Sequence, residues 1–194
     1  MTICQSLDIM NSVAYEVISL KLSWRELRER SEGVTLQETV ELPNLVKENR
    51  QLIKLEPVRA ELHGTEASGV GLLQGSLHGK ATYRCSRCLT DFSEDLHVPF
   101  DEHFMQVSED KLSAEEGTDY NDDRNLVVGE QFDLVPYLEQ AINLALPYRP
   151  LCNQDCAGLC PQCGVNLNEA SCSCQTERID PRLADLAKFF EKDS

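Results

Sequence analysis

Apolar and polar residues alternate along Ala14-Tyr-Glu-Val-Ile-Ser-Leu-Lys-Leu-Ser and again along Val34-Thr-Leu-Gln-Glu-Thr-Val-Glu-Leu. A period of two predicts a strand in each, half buried and half exposed. Trp24 to Ser31, which lies between them, is polar and predicts a short helix or a connection. Leu52 to Leu62 predicts a further strand. Gly64, Gly69, Gly71, Gly75 and Gly79 then punctuate the chain, which predicts a meander of short segments running on through Phe92 to Phe104. Antiparallel β-structure is the expectation for about residues 14–106.

The pattern changes twice more. Residues 106–125 hold seven acids and two bases with few large apolar residues, which predicts a solvated acidic loop or a decoy for a basic partner. From Phe132 to Pro147 the apolar positions Leu134, Leu138, Ile142, Ala145 and Leu146 return at helical spacing. Asp133 is the predicted cap and Pro136 falls in the first turn. Asp180-Pro-Arg-Leu-Ala-Asp-Leu predicts a second helix, capped by Asp180. The expected fold class is α+β. A β-rich body spans 14–147, with the acidic loop at 106–125 and a closing helix at 133–146. An N-terminal extension (1–13), a Cys-rich zinc-binding segment (148–176) and a C-terminal helix (180–192) complete it.

Cysteine spacing adds chemistry to this picture. Cys152, Cys156, Cys160, Cys163, Cys172 and Cys174 fall within 23 residues. Cys160-Pro-Gln-Cys163-Gly has the spacing of a metal knuckle. Pro161 stiffens the turn, Gly164 permits the positive φ that follows, and two sulfurs face one tetrahedral ion. Cys172-x-Cys174 can supply the second pair. Cys85-Ser-Arg-Cys88 is another Cys-x-x-Cys, at the end of a predicted strand. With Cys4 set aside as a lone thiol, eight cysteines suffice for two tetrathiolate sites, with Cys85 and Cys88 joining Cys152 and Cys156. The rival reading leaves Cys85 and Cys88 as unligated thiols near the sheet core.

Structural zinc is the expected cofactor. No apolar targeting run points to an oxidising compartment and a disulfide framework, and the strand–helix setting of a redox Cys-x-x-Cys is missing. Four thiolates also suit an iron–sulfur cluster, and disulfides or free thiols complete the alternatives. A closed tetrathiolate shell has no position for a water, so the expected role is a staple for a segment too short to build its own core.

Charge narrows the partners. The net −15 lies entirely in residues 91–194, with seven basic and twenty-two acidic residues; residues 1–90 hold eleven of each. Phosphate backbones repel such a surface, which argues against a broad nonspecific nucleic-acid binder. A basic ribosomal protein or an rRNA-maturation factor fits as partner, with large-subunit rRNA met indirectly. Arg25, Arg28, Arg84 and Arg87, with Trp24 beside the first two, are the candidates for direct RNA contact; solvated surface charge is the plainer reading. No stretch approaches the ~20 apolar residues of a membrane span, and no motif points to a small-molecule substrate. His63, His78, His97 and His103 lie on predicted strands with no carboxylate, Ser or Cys partner at an evident spacing.

One family shares these features. They are Glu38-Thr-Val-Glu-Leu, Leu55-Glu-Pro-Val, Cys85-Ser-Arg-Cys88-Leu, Leu146-Pro, Cys156-Ala-Gly-Leu-Cys-Pro-Gln-Cys-Gly-Val-Asn-Leu-Asn and Ile179-Asp-Pro-Arg-Leu-Ala-Asp-Leu. Over residues 14–191 the chain resembles the YceD family of large ribosomal RNA subunit accumulation proteins, found in bacteria and chloroplasts. The resemblance implies a non-enzymatic factor needed for normal accumulation or processing of large-subunit (23S) rRNA, with no catalytic residues. Family members differ in whether they keep the cysteine tail, so the metal is not expected to be the shared functional core. A start without an Arg- and Ser-rich leader favours a bacterial cytoplasmic protein over one of the chloroplast stroma. The competing classes are a metal-dependent enzyme and a zinc-stapled binding module unrelated to ribosomes.

Overall fold

The computed structural model describes residues 19–109 and 124–174. The elements run β1 (Lys21–Ser23), α1 (Trp24–Glu29), β2 (Val34–Val40), α2 (Pro43–Glu48), β3 (Leu52–Leu55), β4 (Val58–Ala67), β5 (Val70–Arg84), β6 (Asp91–Val107), β7 (Arg124–Val128), β8 (Gln131–Asp133) and α3 (Val135–Ala145). The class is α+β, with a sheet-rich, mostly antiparallel body. The N-terminal extension, Cys4, residues 110–123 of the acidic segment and the C-terminal helix lie outside the described residues.

Six strands form one sheet in the order β2-β4-β5-β6-β7, with β3 and β4 following one another along the same edge of β5. The single strand expected from Leu52 to Leu62 is thus interrupted at Glu56-Pro57, where Pro57 has no N–H to give the ladder. The meander of short segments does not form. Instead β5 and β6 pair continuously from Val70↔Met105 to Arg84↔Asp91, roughly 50 Å at about 3.4 Å per residue. Of the glycines that suggested breaks, Gly71, Gly75 and Gly79 sit inside β5 on its core side, Gly64 lies within β4, and Gly69, with φ 84°, makes the turn between β4 and β5. A Cβ on Gly75 would lie 2.0 Å from the Glu61 carbonyl oxygen, and one on Gly71 would lie 3.0 Å from the Trp24 ring. Gly71 and Gly75 mark close approach, not turns.

The antiparallel expectation also fails at one edge. β7 pairs with β6 in parallel, from His103↔Arg124 to Val107↔Val128. Gln106 and Val107 therefore belong to β6, and Arg124 and Asn125 to β7, not to a loop. Parallel neighbours need a crossover of a dozen or more residues, and sixteen separate Val107 from Arg124.

One face of the sheet carries Val58, Ala60, Leu62, Leu73, Leu77, Ala81, Val98, Phe100 and Phe104, all buried. β1 pairs with β8 as a separate ribbon that brings Leu22 and Phe132 onto this face. Trp24 at the head of α1 is fully buried. Its ring lies 5.5 Å from Phe132, which lies 5.0 Å from Phe104, which meets Tyr137 edge-on at 4.8 Å. α3 covers the same core through Leu138 and Ile142. It begins two residues later than expected. Leu134 is its N-cap, while Asp133 accepts a hydrogen bond from the Val135 N–H at 3.0 Å. Ala145, expected on the apolar face, is exposed.

Gly75 gives a direct check on this packing. Gly75→Ala forces β4 and β5 apart where they pair most tightly and is expected to destabilise the body by about 3 kcal/mol, read from urea unfolding. A neutral outcome would mean that the β4–β5 register differs from Leu62↔Gly75.

Candidate metal centres

The tips of the long hairpin and the tail that follows α3 build the site. Arg84↔Asp91 is the last pair of β5 and β6, so Cys85 to Thr90 is the hairpin loop. The Cys85 N–H donates to the Thr90 carbonyl at 2.9 Å, and the Leu89 N–H to the Cys85 carbonyl at 3.0 Å. The second knuckle repeats this geometry, with the Gly164 N–H donating to the Cys160 carbonyl at 2.9 Å. In each, the residue after the second cysteine is left-handed: φ is 60° at Leu89 and 74° at Gly164. Gly164 advertised this in the sequence. Leu89 concealed it, because a leucine is rarely found there.

Eight thiols gather in two groups of four. Cys85, Cys88, Cys152 and Cys156 form the first; Cys160, Cys163, Cys172 and Cys174 form the second. Within each, the sulfurs lie within 4.8 Å of one another. All eight are free cysteines. Cys85 Sγ is 3.8 Å from Cys156 Sγ, and Cys88 Sγ is 3.5 Å from Cys152 Sγ. Those separations far exceed a disulfide bond, but they match the edge of a tetrahedron with metal–sulfur bonds of about 2.3 Å. Each group could hold a metal ion. The six tail cysteines are therefore divided: Cys152 and Cys156 face the hairpin, and the other four face each other.

The surroundings favour anionic sulfur. Burial pushes the Cys85 thiol up, but hydrogen bonds from the backbone of Cys88, Cys152 and Arg87 outweigh it and bring the thiol down to about 6. Backbone N–H groups of Cys163 and Gln162 likewise lower Cys160 to about 6. Hydrogen bonding to Thr90 lowers Cys88. The fourth thiols respond the other way: Cys152, through its hydrogen bond to Cys88, and Cys174, through its bond to Cys163, are pushed up to about 12. Four thiols this close cannot all ionise without a cation among them. A bound dication would displace the protons that Cys152 and Cys174 retain.

Neighbouring groups hold the first centre in shape. Asn168 Nδ2 donates to Cys156 Sγ at 3.3 Å, and its Oδ1 accepts from the Ala157 N–H at 2.8 Å. Arg87 Nη1 donates to the Cys156 carbonyl at 2.9 Å, and the Leu159 N–H returns a bond to the Arg87 carbonyl at 3.2 Å. Asn168 was missed in the sequence, because its spacing from any cysteine announces nothing. The centres differ in shelter. Cys85, Cys88 and Cys156 are buried with Phe92, Leu151 and Leu159 packed against them, whereas only Cys160 is buried in the second.

The proposed RNA-contact arginines do not form one surface. α1 packs at Gly71 through Trp24, and Arg84 lies thirteen residues further along β5, roughly 40 Å away. Arg25 bonds Glu29 at 2.7 Å and Arg84 bonds Asp91 at 2.9 Å. Arg28 bonds Gln106 and lies 5.8 Å over the Trp24 ring, while Arg87 serves the tail carbonyls. Trp24 itself is buried and cannot stack on a base. The histidines do find partners: His78 Nδ1 and His97 Nδ1 lie 3.2 Å apart across β5 and β6, and Ser76 Oγ is 2.9 Å from His78 Nε2. This row lies on the open polar face of the sheet.

A family model described as large ribosomal RNA subunit accumulation protein YceD matches residues 73–190, more than half of the chain. The chain belongs to the YceD family. The matched span begins in β5 and takes in both centres. Among relatives, an uncharacterised protein of Mycobacterium tuberculosis is 35% identical over 123 residues, 63% of this chain and 57% of that protein. The chain thus spans little more than half the length of that relative. YlbN of Bacillus subtilis is 27% identical over 157 residues, 80% of this chain and 87% of its own. The chloroplastic YCED homolog 1 of Arabidopsis thaliana, named a large ribosomal RNA subunit accumulation protein, is 27% identical over 63 residues, 32% of this chain and 20% of its own. No solved structure matches the chain.

Two outcomes follow from the site. Leu89→Gly removes left-handed strain of about 1–2 kcal/mol, partly offset by the entropy of glycine, for a net gain of about 1 kcal/mol or less; metal content should be unchanged. Acid should act on both centres. The lowered Cys85 and Cys160 contribute stability that is complete above the ordinary thiol value and is lost as pH falls through about 6. A bound dication holds the thiolates against protons, so metal release followed from pH 8 to pH 4 should begin below that value and reach the exposed second centre first. Simultaneous release would refute the difference in shelter.

Proposed function

We propose that this chain is a non-catalytic factor supporting the accumulation of large-subunit ribosomal RNA, with one structural zinc ion in each tetrathiolate centre. Family membership carries the reading, together with the name borne by the Arabidopsis relative. Cys85, Cys88, Cys152 and Cys156 would hold one ion; Cys160, Cys163, Cys172 and Cys174 would hold the other. Zinc prefers four thiolates in a tetrahedron, and a shell so filled crosslinks the chain without activating water. This supports a structural role over hydrolysis.

The charge supports contact through a protein. Each zinc centre leaves about −2, since four thiolates outweigh the dication, and this adds to a chain already at −15. Most of the affinity for a ribosomal precursor is assigned to a basic ribosomal protein or maturation factor that meets the acidic half. Attraction of that kind is screened over about 8 Å at physiological salt.

The test uses cells that lack the protein. A fall in the ratio of large- to small-subunit rRNA is expected, restored by the full chain. An unchanged ratio favours an enzyme or a binding module outside ribosome biogenesis. Native mass spectrometry should count two zinc ions. Cys174→Ser is expected to lose one and spare the sheet-rich body.

A further inference from the structure

A cavity of ≈ 530 Å³ opens where the end of α2, the first knuckle and the segment after α3 meet. Arg50, Arg149, Tyr148, Asn49, Gln51 and Ser86 line it. Its volume falls within the range of small-ligand sites, about 300–1,000 Å³. Arg25, Arg59 and Arg84 each sit on a carboxylate. Among the described residues, Arg50 and Arg149 form no ion pair, and Glu48 is the one carboxylate on the cavity wall. Tyr148 is 90% exposed, more than any other large apolar side chain among the described residues. A rigid aromatic ring left in water beside two unpaired guanidinium groups is the equipment of a stacking and phosphate-binding site. Asn49 and Gln51 add amides that can meet a base edge.

We infer that this cavity receives one unpaired nucleotide of single-stranded RNA, its base on Tyr148 and its phosphates on Arg50 and Arg149. The inference rests on the ribosomal RNA reading above and names the point of direct RNA contact within it. The four arginines singled out in the sequence are not that point. An acidic peptide would also meet the arginines, but it would leave Tyr148 without a planar partner. The first metal centre preorganises the site. The Ser86 N–H donates to the Pro150 carbonyl at 2.8 Å, tying the Tyr148–Arg149 wall to the knuckle. Gln51 Nε2 donates to Ser86 Oγ at 3.3 Å, and the Arg84 N–H donates to the Gln51 carbonyl at 2.9 Å. The acidity of the chain keeps the contact weak, with a Kd on the order of 10⁻⁴–10⁻⁶ M at physiological salt.

Fluorescence anisotropy of the full zinc-loaded chain with a labelled single-stranded oligoribonucleotide tests it. The same RNA as a duplex and an Asp/Glu-rich peptide of equal length are the competitors. Tyr148→Ala should weaken binding about tenfold, while Tyr148→Phe keeps it. Arg50→Ala with Arg149→Ala should lower the magnitude of the salt slope by about 1.4, the loss of two single-strand phosphate contacts. Zinc content of each variant confirms that the knuckle is intact. The inference is overturned if the peptide competes as well as the single strand, if Tyr148→Ala is silent, or if Arg25→Ala with Arg28→Ala changes the slope as much. Loss of oligonucleotide binding alongside a normal fall of large-subunit rRNA in depleted cells would sink the pocket and leave the proposed function standing. Binding with an unchanged rRNA ratio would do the reverse.

Discussion

The architecture depends on one long-range junction, in which the loop of the β5–β6 hairpin meets the tail through four sulfurs. Cys85 and Cys156 are 71 residues apart in the chain, and Cys88 and Cys152 are 64 apart. A loop of that length costs about 4 kcal/mol of chain entropy to close. A metal ion is suited to that burden because it contributes its binding energy only when all four ligands arrive together. Once closed, the junction fixes the segment from Cys152 to Cys156 against the hairpin loop. The second centre closes only the local stretch from Cys160 to Cys174, so it orders its own fold without holding the body.

The hairpin makes this junction possible. A strand pair roughly 50 Å long carries Cys85 away from the aromatic core around Trp24, Phe104 and Phe132. The two ends of the molecule therefore do different things. One end buries aromatic rings under α1 and the β1–β8 ribbon. The other end buries sulfurs against Phe92, Leu151 and Leu159. The cavity beside Ser86 lies at this second end, so the four-thiol cluster and the cavity are mechanically linked through the hydrogen bonds of Ser86 to Pro150 and Gln51.

Electrostatics divides along the same lines. Cross-strand pairs such as Arg84–Asp91 and ion pairs such as Arg59–Glu61 absorb most of the positive charge on the sheet. Arg84 in turn holds the Asp91 carboxyl below its usual range through their hydrogen bond. Arg50 and Arg149 at the cavity lie outside these pairs, and the second half of the sequence carries the whole of the net negative charge. A partner approaching this molecule would meet repulsion or attraction according to which end it reaches.

The local sequence was enough to determine the features that are local in physics. The knuckle at Cys160-Pro-Gln-Cys163-Gly, the helix around Leu138 and Ile142 and the strand at Val34 to Val40 each follow from spacing within a dozen residues, and each is present. What the tertiary structure alone decided involves groups far apart in the chain. It chose which four cysteines face which, because sulfurs seventy residues apart are brought together by a hairpin whose length no local pattern displayed. It turned the glycines of β5 from expected breaks into contact points, because only the approach of Glu61 and Trp24 gives them that role. It set Arg84 against Asp91 across the hairpin and left Arg50 and Arg149 at the cavity without an ion pair among the described residues, because pairing in a sheet is set by which side chains the strands place opposite one another.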